Sequence, residues 1–294
     1  MNGDTYDKHG FTFRTWNGHE YLVNPNEHSL KELRDLDIRN VELNFNTVRP
    51  TRRDITFLKS HYDFIEGISI SGNLEITALG KFVNLKRLFL QNPPEQSIDF
   101  DNFPLLQECK IEWNKKVKNI DRLRSIEILH LWRYNMSDLQ GIGGLRSLRE
   151  LSVIHSGITS LQGVGSLDAL ERLELGYLRK LNSLRGLEGL SNLRRLGLDC
   201  CPHIDDLSPV QELKNLEQLG TYGCRKINSL KPLKDLTKLD IVYILGRTDI
   251  VDGDMTPLIG RKDAGIATRK HYTHSSGEID KLNGTVRPKQ EWDW

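Results

Sequence analysis

From Leu193 to Leu213 the chain reads LRRLGLDCCPHIDDLSPVQEL, a segment that nearly repeats itself on both sides and limits the possible folds more than any other feature. Leu193, Leu196, Leu198 and Cys201 stand at positions one, four, six and nine of a frame, and Ile204, Leu207, Val210 and Leu213 follow at every third residue. The same frame opens at Ile38, Ile65, Leu85, Leu106, Ile126, Leu148, Leu170, Leu216 and Leu239. After one wide gap of 27 residues behind Ile38, the spacing stays between 20 and 23. Self-similarity at a fixed period of this length, over most of 294 residues, points to one elongated array of stacked units.

The two spacings inside the frame specify local structure. Alternating side chains send Leu196 and Leu198 inward and Arg195, Gly197 and Asp199 outward. The triplet spacing that follows suits 3₁₀ turns, in which every third side chain eclipses and one side is buried. No single unit can bury its apolar face alone, but stacked units share one core. The pattern matches the leucine-rich repeat, so the expected fold is an α/β solenoid with a concave parallel β-sheet and mostly 3₁₀ or irregular convex returns. At the ninth position Asn46, Asn73, Asn114, Cys201 and Cys224 supply small polar side chains that satisfy backbone groups at the bend. Cys109 replaces an inward leucine, and Cys200 is expected at the end of the exposed strand face. Four cysteines so placed make no disulfide framework.

Outside the array the sequence changes character. Phe11–Trp16 and His19–Val23 alternate around Asn17-Gly18, the preferred dipeptide of a type I′ hairpin. Phe11, Phe13, Tyr21 and Val23 are expected to cover the open end of the first repeat as an N-terminal β-hairpin cap. A short helix is expected over residues 29–36, with Ser29 as N-cap, Glu32 three residues on and leucines at 30, 33 and 36. Pro93 to Phe103 departs from the frame and is read as a convex bulge. The resulting division is 1–37 as the N-terminal cap, 38–246 as the repeats and 247–294 as the C-terminal segment and tail. Trp292 and Trp294 end that tail, docked or free.

In the C-terminal segment, Val251-Asp-Gly-Asp-Met-Thr-Pro-Leu258 and Arg269-Lys-His-Tyr272-Thr-His274 follow the last repeat. Here the sequence resembles a group of bacterial leucine-rich-repeat proteins in which the final repeat runs into a DGD(L/M)xPL stretch and an RxHYxH segment. The repeats themselves resemble those of internalins, with units of about 22 residues and 3₁₀ returns. The resemblance spans the repeats and the C-terminal segment and implies a protein-binding role.

The remaining features narrow the function. Lys plus Arg number 41 and Asp plus Glu 40, a balance that favours neither nucleic acid nor a membrane surface as partner. The first residues carry no apolar run and no later stretch reaches the length of a membrane span, so a cytoplasmic protein is expected. No nucleophile elbow, phosphate loop or kinase signature occurs, and no cofactor or metal is expected. His271 and His274, and His130 with His155, lack the further ligands that zinc needs, so the first pair is assigned to local hydrogen bonding.

The outward positions of the frame carry the candidate partner-binding residues. These are Arg87, Phe89, Glu108, Lys110, Glu112, Trp113, His130, Trp132, Arg133, Ile154, His155, Arg172, Glu174, Tyr177, Asp199 and Tyr222. Aromatic and arginine side chains on a face that the core does not use are hot-spot types. Cross-strand pairs of Arg87 with Glu108 and of Arg172 with Glu150 or Glu174 would hold part of this face without a partner. The expected function is a non-enzymatic module for one protein partner, with toxin sequestration by an immunity protein as the specific reading. The alternative is a translocated effector or adaptor that binds a host protein.

Overall fold

A computed structural model describes residues 5–44, 54–72, 74–92 and 96–285, which excludes Asn46, Asn73, Pro93, Pro94, Trp292 and Trp294. The chain divides into two compact units, one ending at Arg133 and the other beginning at Tyr134. Both are leucine-rich-repeat solenoids in which a parallel sheet faces one way and 3₁₀ returns line the other side.

The first unit contains β1 (Thr5–Lys8), β2 (Phe11–Trp16), β3 (His19–Val23), α1 (Glu27–Glu32), β4 (Asn40–Asn44), β5 (Gly67–Ser71), β6 (Arg87–Leu90), β7 (Ile98–Asp99), β8 (Glu108–Glu112), β9 (Val117–Lys118) and β10 (Ile128–Trp132). Strands β3, β4, β5, β6, β8 and β10 pair in parallel, and β7 pairs with β9 as a two-residue ladder among the returns. The hairpin is present as expected, with Asn17 and Gly18 at φ of 46° and 77° as a type I′ turn requires. A further edge strand, β1, joins it through His9 and Gly10, also at positive φ.

Three local expectations are corrected here. Helix α1 starts earlier than the Ser29 N-cap implied: Asn26 is the cap, and its side chain and that of Ser29 accept each other's backbone N–H. The hairpin does more than cover the repeat end. Phe13 and Leu22 enter the core beside Val41, whereas Tyr21 pairs with Arg14 and so points to the opposite face. From the described residue Gln96 onward no bulge is seen, since Ile98, Phe100 and Phe103 are buried as in the ordinary returns.

The second unit contains β11 (Glu150–Ile154), β12 (Arg172–Gly176), β13 (Arg195–Asp199), β14 (Gln218–Tyr222), β15 (Lys226–Ile227), β16 (Ile241–Leu245), β17 (Asp249–Ile250), β18 (Asp263–Ile266) and α2 (Ser276–Asn283). Register is kept across the central strands: Leu151, Leu173, Leu196, Leu219 and Val242 align, as do Val153, Leu175, Leu198, Thr221 and Ile244. Below them the triplets Leu178, Leu181, Leu184, Leu187 and Leu190, then Ile204, Leu207, Val210 and Leu213, are at most 1% exposed, so the period of three does bury one side. At the ninth position Cys201 Sγ lies 3.4 Å from the Leu175 carbonyl and Cys224 Sγ 3.4 Å from that of Leu198, where each thiol donates to backbone left open by the bend.

The array runs one strand beyond Ile244. β18 pairs in parallel with β16, with Ala264 and Ile266 in the inward positions. Arg261 holds position one of this last unit, 22 residues after Leu239, and its guanidinium donates to the carbonyls of Leu233, Leu236, Leu239 and Pro257. Helix α2 then packs on β18 through the buried Ile279, with Ser275 and Glu278 forming a capping box and Gly284 ending it at φ 66°.

Candidate protein-binding face

In the first unit much of the face that the strands present is already taken. Arg14 Nη1 donates to Glu42 Oε1 at 2.5 Å, Trp16 Nε1 donates to Glu42 Oε2 at 3.0 Å, and Asn17 donates from the hairpin tip to Glu108. The Tyr21 and Phe89 rings lie 5.9 Å apart, and Arg87 donates to Asn40 at 2.7 Å with Glu66 at 3.7 Å. The expected pair of Arg87 with Glu108 is therefore replaced by partners from the cap and from β4.

The expectation that Arg87, Phe89 and Glu108 are exposed is corrected: they retain 8%, 6% and 5% of their surface, because the hairpin lies over them. Burial pushes the Glu108 carboxyl up from its ordinary range, and it pushes the Lys110 ammonium down. Trp113 is also buried. Its backbone N–H donates to the Trp132 carbonyl as in the later units, but its backbone is not left-handed, unlike that of His155 or Tyr177. Lys110, Glu112 and His130 are half-buried, while Trp132 and Arg133 are exposed, with Arg133 donating to Glu112 at 2.5 Å.

In the second unit no described segment of that unit lies over β11 to β14 in this way, and the face is ordered in rows. Arg172, Arg195 and Gln218 form the row at the strand starts; Glu174, Gly197, Gly220 and Tyr243 form the middle row; Gly176, Asp199, Tyr222 and Leu245 form the row at the strand ends. Arg172 pairs with Glu150, as the cross-strand reading expected. Ile154 is half-buried, and Tyr177 and Tyr222 are 39% and 51% exposed.

A feature absent from the sequence reading lies one residue past the strand ends. His155, Tyr177 and Cys200 adopt φ of 54°, 54° and 50°, and Gly223 and Gly246 share this left-handed conformation. Each N–H still joins the ladder: His155 donates to Gly176, Tyr177 to Asp199 and Cys200 to Tyr222, at 2.9, 2.7 and 2.7 Å. The conformation costs a residue with a Cβ about 1–2 kcal/mol and turns its side chain out. His155 and Tyr177 then stack with centroids 4.4 Å apart and planes at 22°. The glycines at 223 and 246 in the same column of the frame were the available sequence signal.

Between these rows lies a recess of about 770 Å³, lined by Arg172, Glu174, Arg195, Asp199, Gln218 and Tyr222 over Gly197 and Gly220. Burial and then the negative charge of Asp199 push the Glu174 carboxyl up, and Arg172 only partly opposes them. Among the described residues no group of three or more His, Cys, Asp and Glu side chains is placed to hold a metal. His271 Nε2 donates to the Ile250 carbonyl at 3.0 Å, and His274 shares a hydrogen bond with Thr273. No helix among the described residues is long and apolar enough to cross a membrane.

The two C-terminal motifs meet each other. Tyr272 Oη accepts from the Ile250 N–H and donates to Asp249, Thr273 Oγ1 accepts from the Met255 N–H, and the Thr273 N–H donates to Gly253. Gly253, at φ 67°, leaves no room for a Cβ beside the His271 carbonyl. The motifs are thus two halves of one cap.

No protein-family model matches the sequence, and no curated protein does. Solved structures do. Internalin C2 from Listeria monocytogenes str. 4b F2365 is 24% identical, with a TM-score of 0.52 over 63% of this chain and 82% of its own. An internalin (inlF) from the same strain is 20% identical, with a TM-score of 0.61 over 81% of this chain and 70% of its own. Repeat frame, parallel sheet, 3₁₀ returns and these neighbours agree that the chain has the leucine-rich-repeat fold seen in internalins.

Proposed function

We propose that the chain is a non-enzymatic protein-binding module whose sheet face holds one protein partner. The observation that carries this reading is the pair Tyr177 and Tyr222, large aromatic side chains left exposed on a rigid sheet, with Tyr177 kept outward by a costly left-handed backbone. The same turn recurs after the neighbouring strands, so it belongs to the scaffold, and it is the exposure of the two rings that carries the reading. Lys110, Glu112, His130, Trp132 and Arg133 on the first unit, and Ile154, His155, Arg172, Glu174, Tyr177, Asp199 and Tyr222 on the second, are the proposed contact residues. The leucine-rich-repeat fold shared with internalins supports a binding role by analogy.

The specific reading is an immunity protein, acting in the cytoplasm by sequestering and neutralising a cognate bacterial toxin. A face preformed by hydrogen-bonded strands loses little freedom on binding, which suits tight inhibitory capture. The test is affinity capture from a lysate of the source organism, using the wild-type chain and the double variant Y177A/Y222A. One dominant protein, depleted at least about thirtyfold in the variant, corresponds to loss of about 2 kcal/mol in hot-spot contacts. Equal recovery on both chains refutes the face, and a dominant protein without toxic activity refutes the immunity role.

A further inference from the structure

The recess over Gly197 and Gly220 has a definite chemistry. Both glycines occupy outward positions in the middle row, so two adjacent strands present bare backbone where their neighbours present Glu174 and Tyr243. Glu174 leans into that space: a Cβ on Gly197 would overlap both of its carboxylate oxygens. Asp199 stands at the strand-end row beside it, and its Oδ1 is buried and accepts no hydrogen bond among the described residues. Among the described residues neither carboxylate has a cationic side-chain group within 4 Å. Arg172 is engaged with Glu150, and Arg195 lies at the opposite end of the recess, in the strand-start row. The rim carries Tyr222, whose ring edge approaches Gly246 closely enough that a Cβ there would sit 3.0 Å from it.

Glu174 is exposed and Asp199 half-buried, and their two like charges side by side repel each other, with Arg172 only partly offsetting this at Glu174; a cation entering between them relieves both. The space suits a long, narrow group, because the glycine floor lets it reach the backbone, and an aromatic ring at the mouth attracts a cation by its quadrupole. We propose that this recess receives a lysine or arginine side chain of the protein partner, its cation seated between Glu174 and Asp199 over Gly197 and Gly220 and beside Tyr222. The inference rests on the protein-binding reading above for its occupant, and it names the side chain that the partner inserts. A carboxylate of the partner, drawn instead to Arg195, would be the opposite assignment.

The test needs no partner. The uniformly ¹⁵N-labelled chain is titrated with Nα-acetyl-arginine methylamide and Nα-acetyl-lysine methylamide, with Nα-acetyl-glutamate methylamide as the acidic counterpart. The basic probes are expected to give saturable shifts centred on the amides of Gly197, Asp199 and Gly220, and the acidic probe none there. In E174Q/D199N the same shifts should need about tenfold more probe, since two charge-assisted contacts are weakened. G197A, whose methyl displaces only the flexible end of Glu174, should weaken them likewise with an unchanged fingerprint elsewhere. Shifts with the acidic probe alone, basic-probe shifts scattered over the surface, or equal titrations in wild type and variants each overturn the assignment. If the basic probes seat but lysate capture fails, the recess stands and the partner reading falls; if capture succeeds and the probes do not seat, the recess assignment falls.

Discussion

Replacing Arg261 by alanine should destabilise the end of the second unit by about 3 kcal/mol, a large fraction of what holds a typical domain folded. The guanidinium lies 2.5 Å from the Leu233 carbonyl, 2.6 Å from Leu236, 2.9 Å from Leu239 and 3.0 Å from Pro257. Hydrogen bonds from a charged donor contribute about 1.5–3 kcal/mol each when fully desolvated. Here the residue is half-buried, and the Leu233 and Leu236 carbonyls keep backbone donors of their own in Leu236 and Leu239, so about 1 kcal/mol for each of the three shortest contacts is the appropriate scale. Burial also holds the Arg261 pKa below its usual value, which marks the charge as costly to keep there without these acceptors. Native-state hydrogen exchange of amides from Leu233 to Ile266, with urea unfolding as the global measure, reads the effect. R261M keeps most of the stem and should recover only the packing share. An R261A chain whose exchange rates in this segment match wild type would refute the argument that the carbonyls depend on Arg261.

Two further outcomes follow from buried titratable groups. Burial lifts the Cys201 thiol to about 12 and the Cys224 thiol to about 11 and raises Cys109 and, in part, Cys200 as well, but only Cys200 is half-buried and open to solvent at a strand end, so a disulfide reagent at pH 8 should label Cys200 alone in the native chain. Prompt labelling of more than one thiol per folded chain would contradict it. Glu108 has a folded pKa above its unfolded one, chiefly through burial, so its contribution is favourable below the ordinary carboxylate range and is lost as pH rises through the raised pKa. E108Q keeps an acceptor for Asn17 and should raise the urea midpoint at pH 7 with little change at pH 4; a variant less stable at pH 7 would reverse that sign.

The repeat frame was legible because its two periods are burial patterns, and every inward leucine of the second unit's triplets is where the spacing placed it. The hairpin was legible through Asn17-Gly18, for which positive φ leaves few alternatives. Sequence periodicity failed at β18 because Arg261 stands where the frame expects leucine and Ala264 replaces the next one, which hides a unit that hydrogen bonding rather than apolar burial completes. It failed at Glu108 and Phe89 because occlusion by the hairpin, by Asn17 91 residues before Glu108 and by the Tyr21 ring over Phe89, leaves no trace in a local pattern. The recess was invisible for a simpler reason: Gly197 and Gly220 read as ordinary outward residues until the register showed them side by side. Helix α2 could have been found from Ser275 and Glu278, a capping-box pair with Ile279 behind it.

The left-handed column after the strands of the second unit has a consequence for how such a surface can change. His155, Tyr177, Cys200, Gly223 and Gly246 range from two aromatic rings through a thiol to no side chain at all, yet all five take the same turn, and the N–H of the first four is received by the strand that follows. Neighbours in the array therefore accept the main chain at His155, Tyr177 and Cys200 whatever side chain it carries, whereas at Gly223 and Gly246 a Cβ would crowd Cys200 Sγ and the Tyr222 ring. Substitution at His155, Tyr177 or Cys200 leaves the main-chain bond in place, and the surface beyond the strand ends can vary while the scaffold stays the same.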